Sequence, residues 1–277
     1  VDIGAKKYLK NERDALKHDA RELNEYIRQF PFTIDEAMRD SIEGSTFNIG
    51  KIYEQVEHNQ ELYPNPVVQG NFSWKEGVSD KEVVFSPNKE GRWRLSWMPK
   101  PENRNKSIIK YGKIYPANEH IGVGGVDSYD LDSTTDNRGS KGACHLYNKF
   151  NMSAPPNMFV AEYASRPPLA RIFYEDVLMA AVFYGYPLLI ENNKYGIVRY
   201  FESRGYEDVI QSHAQAIESY VEEHVGINEI TGEMGNMYFD RTLDDWIGYK
   251  IDNRTKYDLT ISSGLALLGA QKFKEKK

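Results

Sequence analysis

The sequence predicts an α/β protein in which helices flank a mixed β-sheet. Three observations lead to this fold class. Three apolar, strand-like runs follow one another with short connections between about residues 119 and 165. A long apolar helical pattern then leads into a short, very apolar strand at 187–192. A further helical pattern closes the chain. Strands that are followed by alternating helix and strand are typical of a layered α/β domain.

The first 118 residues predict a helical segment and a β-hairpin. A charged helical pattern runs from about residue 6 to 30, and a second helical pattern covers 47–60. Two strand-like runs in 81–101 surround a turn-forming stretch at 87–91. We therefore divide the chain into an extension at 1–118 and a main domain at 119–277.

The main domain contains the elements that define the architecture. In chain order they are strands at 120–130, 142–150 and 157–165, a helix at 168–185, a strand at 187–192, a helix at 196–205 and a final helix at 255–277. Short connections between the first three strands favour an antiparallel meander. The fourth strand is apolar throughout, which favours a central position parallel to an earlier strand. This order matches the ribonuclease H-like architecture.

Composition excludes several classes of protein. The chain has 277 residues and a formal net charge of -6, so no bulk basic field indicates nucleic-acid binding, and such a surface would have to be local. The single cysteine, Cys144, excludes an internal disulfide framework and a Cys-rich zinc site, and it favours a reducing, cytosolic setting. The most apolar run, 177–190, is too short to span a membrane.

Acidic residues end two of the apolar strands. Asp127 ends the first strand and Glu191 ends the fourth, and the carboxyl ends of neighbouring parallel strands share one edge of a sheet. Asp258 lies in the first turn of the last helix, on its apolar face. Three converging carboxylates repel one another unless cations bind between them, and hard oxygen ligands select Mg²⁺ or Mn²⁺. Two such ions would support phosphodiester hydrolysis.

Each acid also has an ordinary interpretation. Asp130 and Asp132 are typical turn formers. Glu191 precedes two asparagines and is compatible with a plain strand-to-helix turn, and Asp258 is compatible with a first-turn acid that interacts with the helix dipole. Taken together, these interpretations explain poorly why acids end two apolar strands and a third acid faces the core.

Basic residues flank the predicted metal site. The candidates for contacts with DNA phosphates are Arg138, Lys141, Lys194, Arg199 and Arg204. Solubility explains them equally well when each is considered alone. The six histidines show no paired or HExxH spacing, so we interpret them as structural or surface residues.

The region 119–277 resembles the C-terminal nuclease domain of the large terminase subunit of tailed bacteriophages. The resemblance is carried by "GGVDSYDLDSTTDNRGSKGACHLYN", by the strand end "LLIENNKYG" and by the helix start "KYDLTISSGLALLG". The earlier segment "FPFTIDEAMRDSIEGSTFN" is similar to the one that follows the ATPase domain in such proteins.

This resemblance implies a metal-dependent endonuclease that cuts concatemeric viral DNA during genome packaging in the host cytoplasm. It implies Asp127, Glu191 and Asp258 as ligands of two metal ions and Asp136 as an auxiliary acid. The family often has paired acids at the third site, whereas Tyr257 precedes Asp258 here. Asp244 and Asp245 are therefore rivals for the third ligand. The list of candidate ligands thus includes acids from four separate segments.

The resemblance also implies partners, which are double-stranded DNA, an ATPase motor domain of the same full-length protein, the portal and the small terminase subunit. The chain has no G-x-x-x-x-G-K-[ST] motif, so alone it is not expected to hydrolyse ATP. Two other functions stay open. One is a different ribonuclease H-like nuclease of the resolvase or transposase type, and the other is a non-catalytic packaging module that binds a structural cation.

Overall fold

The computed structural model describes residues 2–32, 36, 46–62, 64–129, 141–150, 153–191, 195–213, 217–231 and 236–272. The helices and strands are, in chain order, α1 (Asp2–Ala15), α2 (Ala20–Gln29), α3 (Ile49–Glu61), β1 (Val68–Trp74), β2 (Val83–Pro87), β3 (Trp93–Leu95), β4 (Ser107–Lys110), β5 (Lys113–Pro116), β6 (Gly122–Asp127), β7 (Gly142–Asn148), β8 (Met158–Ser165), α4 (Ala170–Tyr184), β9 (Leu188–Glu191), α5 (Tyr195–Ser203), β10 (Ile210–His213), α6 (Glu218–Thr231), α7 (Asp240–Gly248) and α8 (Asp258–Lys272).

Eight of these strands form one mixed sheet in the order β10-β9-β6-β7-β8-β3-β1-β2. β6, β7 and β8 form the predicted antiparallel meander. β9 lies between β6 and β10 and is parallel to both, as its apolar sequence predicts. The chain reaches β9 through the crossover helix α4, which a parallel connection requires. The predicted ribonuclease H-like mixed sheet flanked by helices is therefore confirmed.

The two strands predicted within 81–101 do not pair with each other. β1 lies between them and is antiparallel to both, so the hairpin of this region is formed by β1 and β2. β3 in turn pairs with β8, and the side chains of Trp93 and Leu95 are fully buried. One sheet thus runs across the predicted division between residues 118 and 119.

The first helical pattern is interrupted, although the sequence predicts a single helix to about residue 30. α1 ends at Ala15 and α2 begins at Ala20. The Asp19 side chain accepts a hydrogen bond of 3.1 Å from the Glu22 amide. Asp19 therefore caps the start of α2, because a side-chain acceptor at this position satisfies an amide that lacks a partner inside the helix.

Helices cover both faces of the sheet. α4 and α5 pack on one face, together with Val126, Leu188 and Ile190 of the central strands. α8 packs on the opposite face with α6, α7 and α3, against Val123 and Leu189. Residues with odd numbers in β6 and β9 thus point toward α8, because successive side chains in a strand alternate between faces. Within the described ranges, no helix combines the length and the apolar character needed to span a bilayer.

Helix α8 crosses β6 at Gly125 with backbone-to-backbone contact. A Cβ atom at this position would lie 2.1 Å from the Ser262 carbonyl oxygen and 2.2 Å from the Ala266 nitrogen. These atoms belong to helix backbone and cannot rotate away. Only glycine allows the helix to lie this close to the strand that carries Asp127.

We expect Gly125→Ala to destabilise the protein by about 3 kcal/mol, because the added methyl group forces α8 away from the sheet. Denaturant unfolding followed by circular dichroism measures this difference. The control is Gly4→Ala in α1, where an added Cβ meets no atom within 4 Å. Equal stability of the two variants would show that α8 does not rest on Gly125 in solution.

Candidate active site

Asp127 and Glu191 occupy matching positions at one edge of the sheet. β6 and β9 pair in parallel, with Val126 opposite Ile190, and each acid follows directly as the last residue of its strand. Alternation of side chains places both carboxylates on the α8 face. Because paired strands lie about 4.8 Å apart, the two acids are neighbours across that spacing. Asp127 is buried and Glu191 is half-buried.

Asp258 is the first residue of α8 and lies at the same edge. Its Oδ2 accepts a hydrogen bond of 2.8 Å from the Lys141 amide. Lys141 directly precedes β7, and Ala143 of that strand is paired with Asp127. The amide of Lys141 thereby connects the first turn of α8 to the strand adjacent to Asp127. The predicted third acid is therefore attached to the edge that carries the other two.

A further carboxylate, that of Asp245 in α7, lies beside the start of α8. Asp245 Oδ2 accepts hydrogen bonds of 2.8 Å from the Thr260 amide and 2.9 Å from its hydroxyl. Burial raises the pKa of Asp245 to about 6; the hydrogen bonds from Thr260 oppose the rise, and the negative charge of Asp258 adds to it. The carboxylates of Asp245 and Asp258 thus lie close enough to interact, although the two residues belong to different helices. Which of them is the third ligand stays a prediction.

An open cleft of about 390 Å³ adjoins Asp258. Its charged lining residues are Lys141, Arg241, Asp244, Asp245, Lys256 and Asp258. Lys141 and Lys256 are exposed at its rim. A polyanion could contact both lysines, whereas the acids would attract cations. The cleft is thus suited to a ligand that brings phosphate groups and metal ions together.

The donor chemistry at this edge fits a hard divalent cation, because carboxylate oxygens are the ligands that Mg²⁺ and Mn²⁺ prefer. Asp127 and Glu191 supply two such donors from adjacent strands. Among the residues that the structure describes, however, no group of three or more His, Cys, Asp or Glu side chains is arranged to hold a metal. The auxiliary acid Asp136 and the turn candidates Asp130 and Asp132 lie outside the described residues. The complete ligand set therefore stays a prediction.

The predicted DNA contacts differ in their surroundings. Lys141 is exposed beside the cleft, and Arg199 is exposed on α5. Arg204 is held by two carboxylates on the α4 side of the sheet, at 2.6 Å from Asp80 and 2.7 Å from Glu175. These ion pairs account for Arg204 without DNA. Arg138 and Lys194 lie outside the described residues.

A buried polar cluster lies beneath the acids on the α8 face, and the sequence analysis did not assign it to the site. His145 of β7 has one ring nitrogen 2.8 Å from Ser262 Oγ and the other 2.7 Å from Thr242 Oγ1. Thr242 donates to Glu162 Oε2 at 2.6 Å, and Arg241 pairs with the other oxygen of Glu162. The sequence signals were two polar residues in the middle of buried strands, Glu162 in β8 and His145 in β7.

Comparisons with known proteins identify structures similar to this chain but no sequence relatives. No family model matches the sequence, and no curated protein matches it. The large terminase nuclease from thermophilic phage G20c with bound magnesium shares 9% identity at a TM-score of 0.44, over 82% of this chain and 97% of that one. The same nuclease with bound zinc shares 10% identity at a TM-score of 0.43, over 65% of this chain and 88% of that one. The chain is thus similar to solved large terminase nucleases, the family that its sequence motifs resemble.

Proposed function

We propose that this chain is a nuclease that hydrolyses phosphodiester bonds in DNA with divalent metal ions held by Asp127, Glu191 and Asp258. One observation carries the proposal. The register of β6 and β9 brings two carboxylates to matching positions on the face and edge where α8 begins with a third. Folding alone does not require acids at the ends of two buried strands, because clustered carboxylates repel one another.

When bound, two Mg²⁺ or Mn²⁺ ions would supply an activated water and stabilise the leaving oxygen. The residues of the chain provide the rest. Asp127 and Glu191 would hold the ions from the strand ends. Asp258, whose carboxylate accepts a hydrogen bond from the Lys141 amide, would hold them from the first turn of α8. Lys141 and Lys256 bind the flanking phosphates.

The resemblance to terminase nucleases supports a specific role for this activity. The substrate is concatemeric viral DNA in the host cytoplasm, and cutting accompanies genome packaging. The partners are the ATPase motor domain of the same full-length protein, the portal and the small terminase subunit. Asp136 assists at the metal site, and Arg138, Lys194 and Arg199 add phosphate contacts.

We expect the isolated chain to nick and linearise plasmid DNA in Mn²⁺ or Mg²⁺ with low sequence specificity. With a net charge of -6 and few basic residues at the site, binding should be weak. It should also fall with salt at a log–log slope of roughly -0.9 per phosphate neutralised. Gel assays across a salt series, with Mn²⁺ or with a chelator, measure both properties. Glu191→Gln should abolish cleavage, whereas Glu202→Gln, which changes an exposed acid on α5, should leave it intact.

Three outcomes contradict the proposal in different ways. Cleavage that persists in a chelator would exclude the metal mechanism. A strong preference for branched over linear duplex DNA would favour a resolvase-type enzyme. Binding of Mn²⁺ without cleavage in any salt condition would favour a packaging module that uses a structural cation.

A further inference from the structure

The buried cluster around His145 has a defined order of hydrogen bonds. Glu162 is ion-paired with Arg241 at 2.6 Å, so it accepts the Thr242 hydroxyl proton at 2.6 Å. Thr242 has a single hydroxyl proton, and its oxygen must therefore accept from His145 Nε2, 2.7 Å away. It follows that Nε2 carries the proton of the imidazole and that Nδ1 accepts from the Ser262 hydroxyl at 2.8 Å. This is the shortest contact of the single Ser262 hydroxyl proton, since the Asp258 and Leu259 carbonyls lie farther from Oγ, at 3.0 and 3.2 Å.

Burial supports this order because it favours an uncharged imidazole. His145 is fully buried, and burial, reinforced by the positive charge of Arg241, lowers its pKa to about 3. A neutral imidazole has one donor and one acceptor, and the cluster uses each of them once. His145 therefore donates one hydrogen bond, to Thr242 of α7, and accepts one, from Ser262 of α8.

These bonds connect the sheet with the helices that carry the acids. Thr242 lies in the first turn of α7, the helix of Asp245. Ser262 lies one turn after Asp258 in α8, and its carbonyl oxygen is one of the atoms that contact β6 at Gly125. The side chain of Ser262 thus joins the first turn of α8 to β7, next to the strand that ends in Asp127.

We propose that His145, acting through Ser262, is a positioning residue that holds the first turn of α8 where Asp258 meets the metal ions. This inference rests on the proposed nuclease function and extends it to residues that touch neither metal nor DNA. Residues behind the metal ligands orient them, and their loss typically costs 10–100-fold in metal affinity. The link is a single hydrogen bond between a strand and a helix.

Two adjacent serines of α8 give a matched test. Ser262 and Ser263 are both fully buried; Ser262 bonds to His145 of the sheet, whereas Ser263 accepts from the Trp246 indole of α7 at 3.0 Å. Both hydroxyls also contact helix carbonyls of the preceding turn, Ser262 Oγ those of Asp258 and Leu259 and Ser263 Oγ that of Thr260. Each change to alanine removes one hydrogen bond to a residue outside α8, together with these local contacts, and keeps a good helix former. We expect similar losses of melting temperature in the two variants. Only Ser262→Ala should weaken Mn²⁺ binding, by on the order of tenfold, in calorimetric titration of the DNA-free protein.

The possible results distinguish a failure of the positioning role from a failure of the proposed nuclease function. Selective weakening in Ser262→Ala supports the positioning role. Equal Mn²⁺ affinity of both variants and the parent overturns that role and leaves the nuclease proposal standing. No Mn²⁺ binding or cleavage by the parent protein overturns both. In two-bond ¹H–¹⁵N NMR spectra we expect the Nε2-protonated form of His145 at pH 6, and the Nδ1-protonated form would contradict the order of hydrogen bonds.

Discussion

Replacing Asp127 with asparagine is expected to abolish metal-dependent cleavage while the protein stays folded. The carboxylate holds metal from the most rigid part of the site, so its loss should reduce the cleavage rate on the order of a thousandfold, or about 4 kcal/mol of transition-state stabilisation. Asp127→Asn also removes a negative charge beside Glu191, and the metal-free protein should therefore be at least as stable as the parent. Plasmid cleavage and thermal melting without metal measure the two effects.

Asp176→Asn is the matched control for this substitution. Asp176 is a buried acid of α4, and its oxygens accept from Arg92 at 2.6 and 2.9 Å and from the Tyr163 hydroxyl at 3.1 Å. Its neutralisation should cost about 2 kcal/mol of stability, since Arg92 remains partly exposed, but should not change the metal site. If Asp127→Asn instead melts early and cleaves normally, then Asp127 is a structural acid and its assignment as a metal ligand fails.

Two fully or nearly buried histidines should respond in opposite directions to the same substitution. His145→Leu removes the bridge between Ser262 and Thr242, and we expect it to destabilise the protein by about 2–3 kcal/mol. His224 of α6 lies among the rings of Tyr147, Phe159 and Trp246. In the described part of the chain, neither of its ring nitrogens has a hydrogen-bond partner. His224→Leu should therefore stabilise the protein by about 1 kcal/mol.

The stability gained by His224→Leu should also increase as the pH falls. Burial lowers the pKa of His224 from 6.5 to about 3, so below pH 6.5 the unfolded chain binds a proton that the folded chain does not. That difference favours unfolding of the parent protein as the pH falls toward 3. The variant has no histidine at this position and is not destabilised in this way. Its free energy of unfolding relative to the parent should therefore be about 1.4 kcal/mol larger at pH 5.5 than at pH 8. Urea unfolding at the two pH values measures it.

A pH-independent difference would contradict the burial of His224 as an uncharged ring. A lower melting temperature for His224→Leu at every pH would mean that its ring nitrogens are hydrogen-bonded in solution. Neither result bears on the roles of Asp127 and Glu191, because the ring contacts of His224 are with Tyr147, Phe159 and Trp246.

Much of the main domain was predictable from local patterns. The apolar runs of β6, β7, β8 and β9 and the apolar helix α4 are continuous in sequence, and their order restricts the topology to few possibilities. The placement of Asp127 and Glu191 at one edge follows from the same order, because acids that end parallel neighbours share an edge. Both the fold class and the main candidates for the site therefore came from contiguous residues.

The contacts between segments that are distant in the sequence could be determined only from the tertiary structure. β1, with a glycine and an asparagine inside it, has no strong strand pattern and is held by pairing with β2 and β3 on its two sides. His145 meets Thr242 and Ser262 across 97 and 117 residues of chain, and Asp245 meets Thr260 across the connection between two helices. Periodicity shows which face of an element is buried but not which partner covers it. The acids at the strand ends were therefore readable in the sequence, whereas the buried cluster that supports them depends on long-range packing.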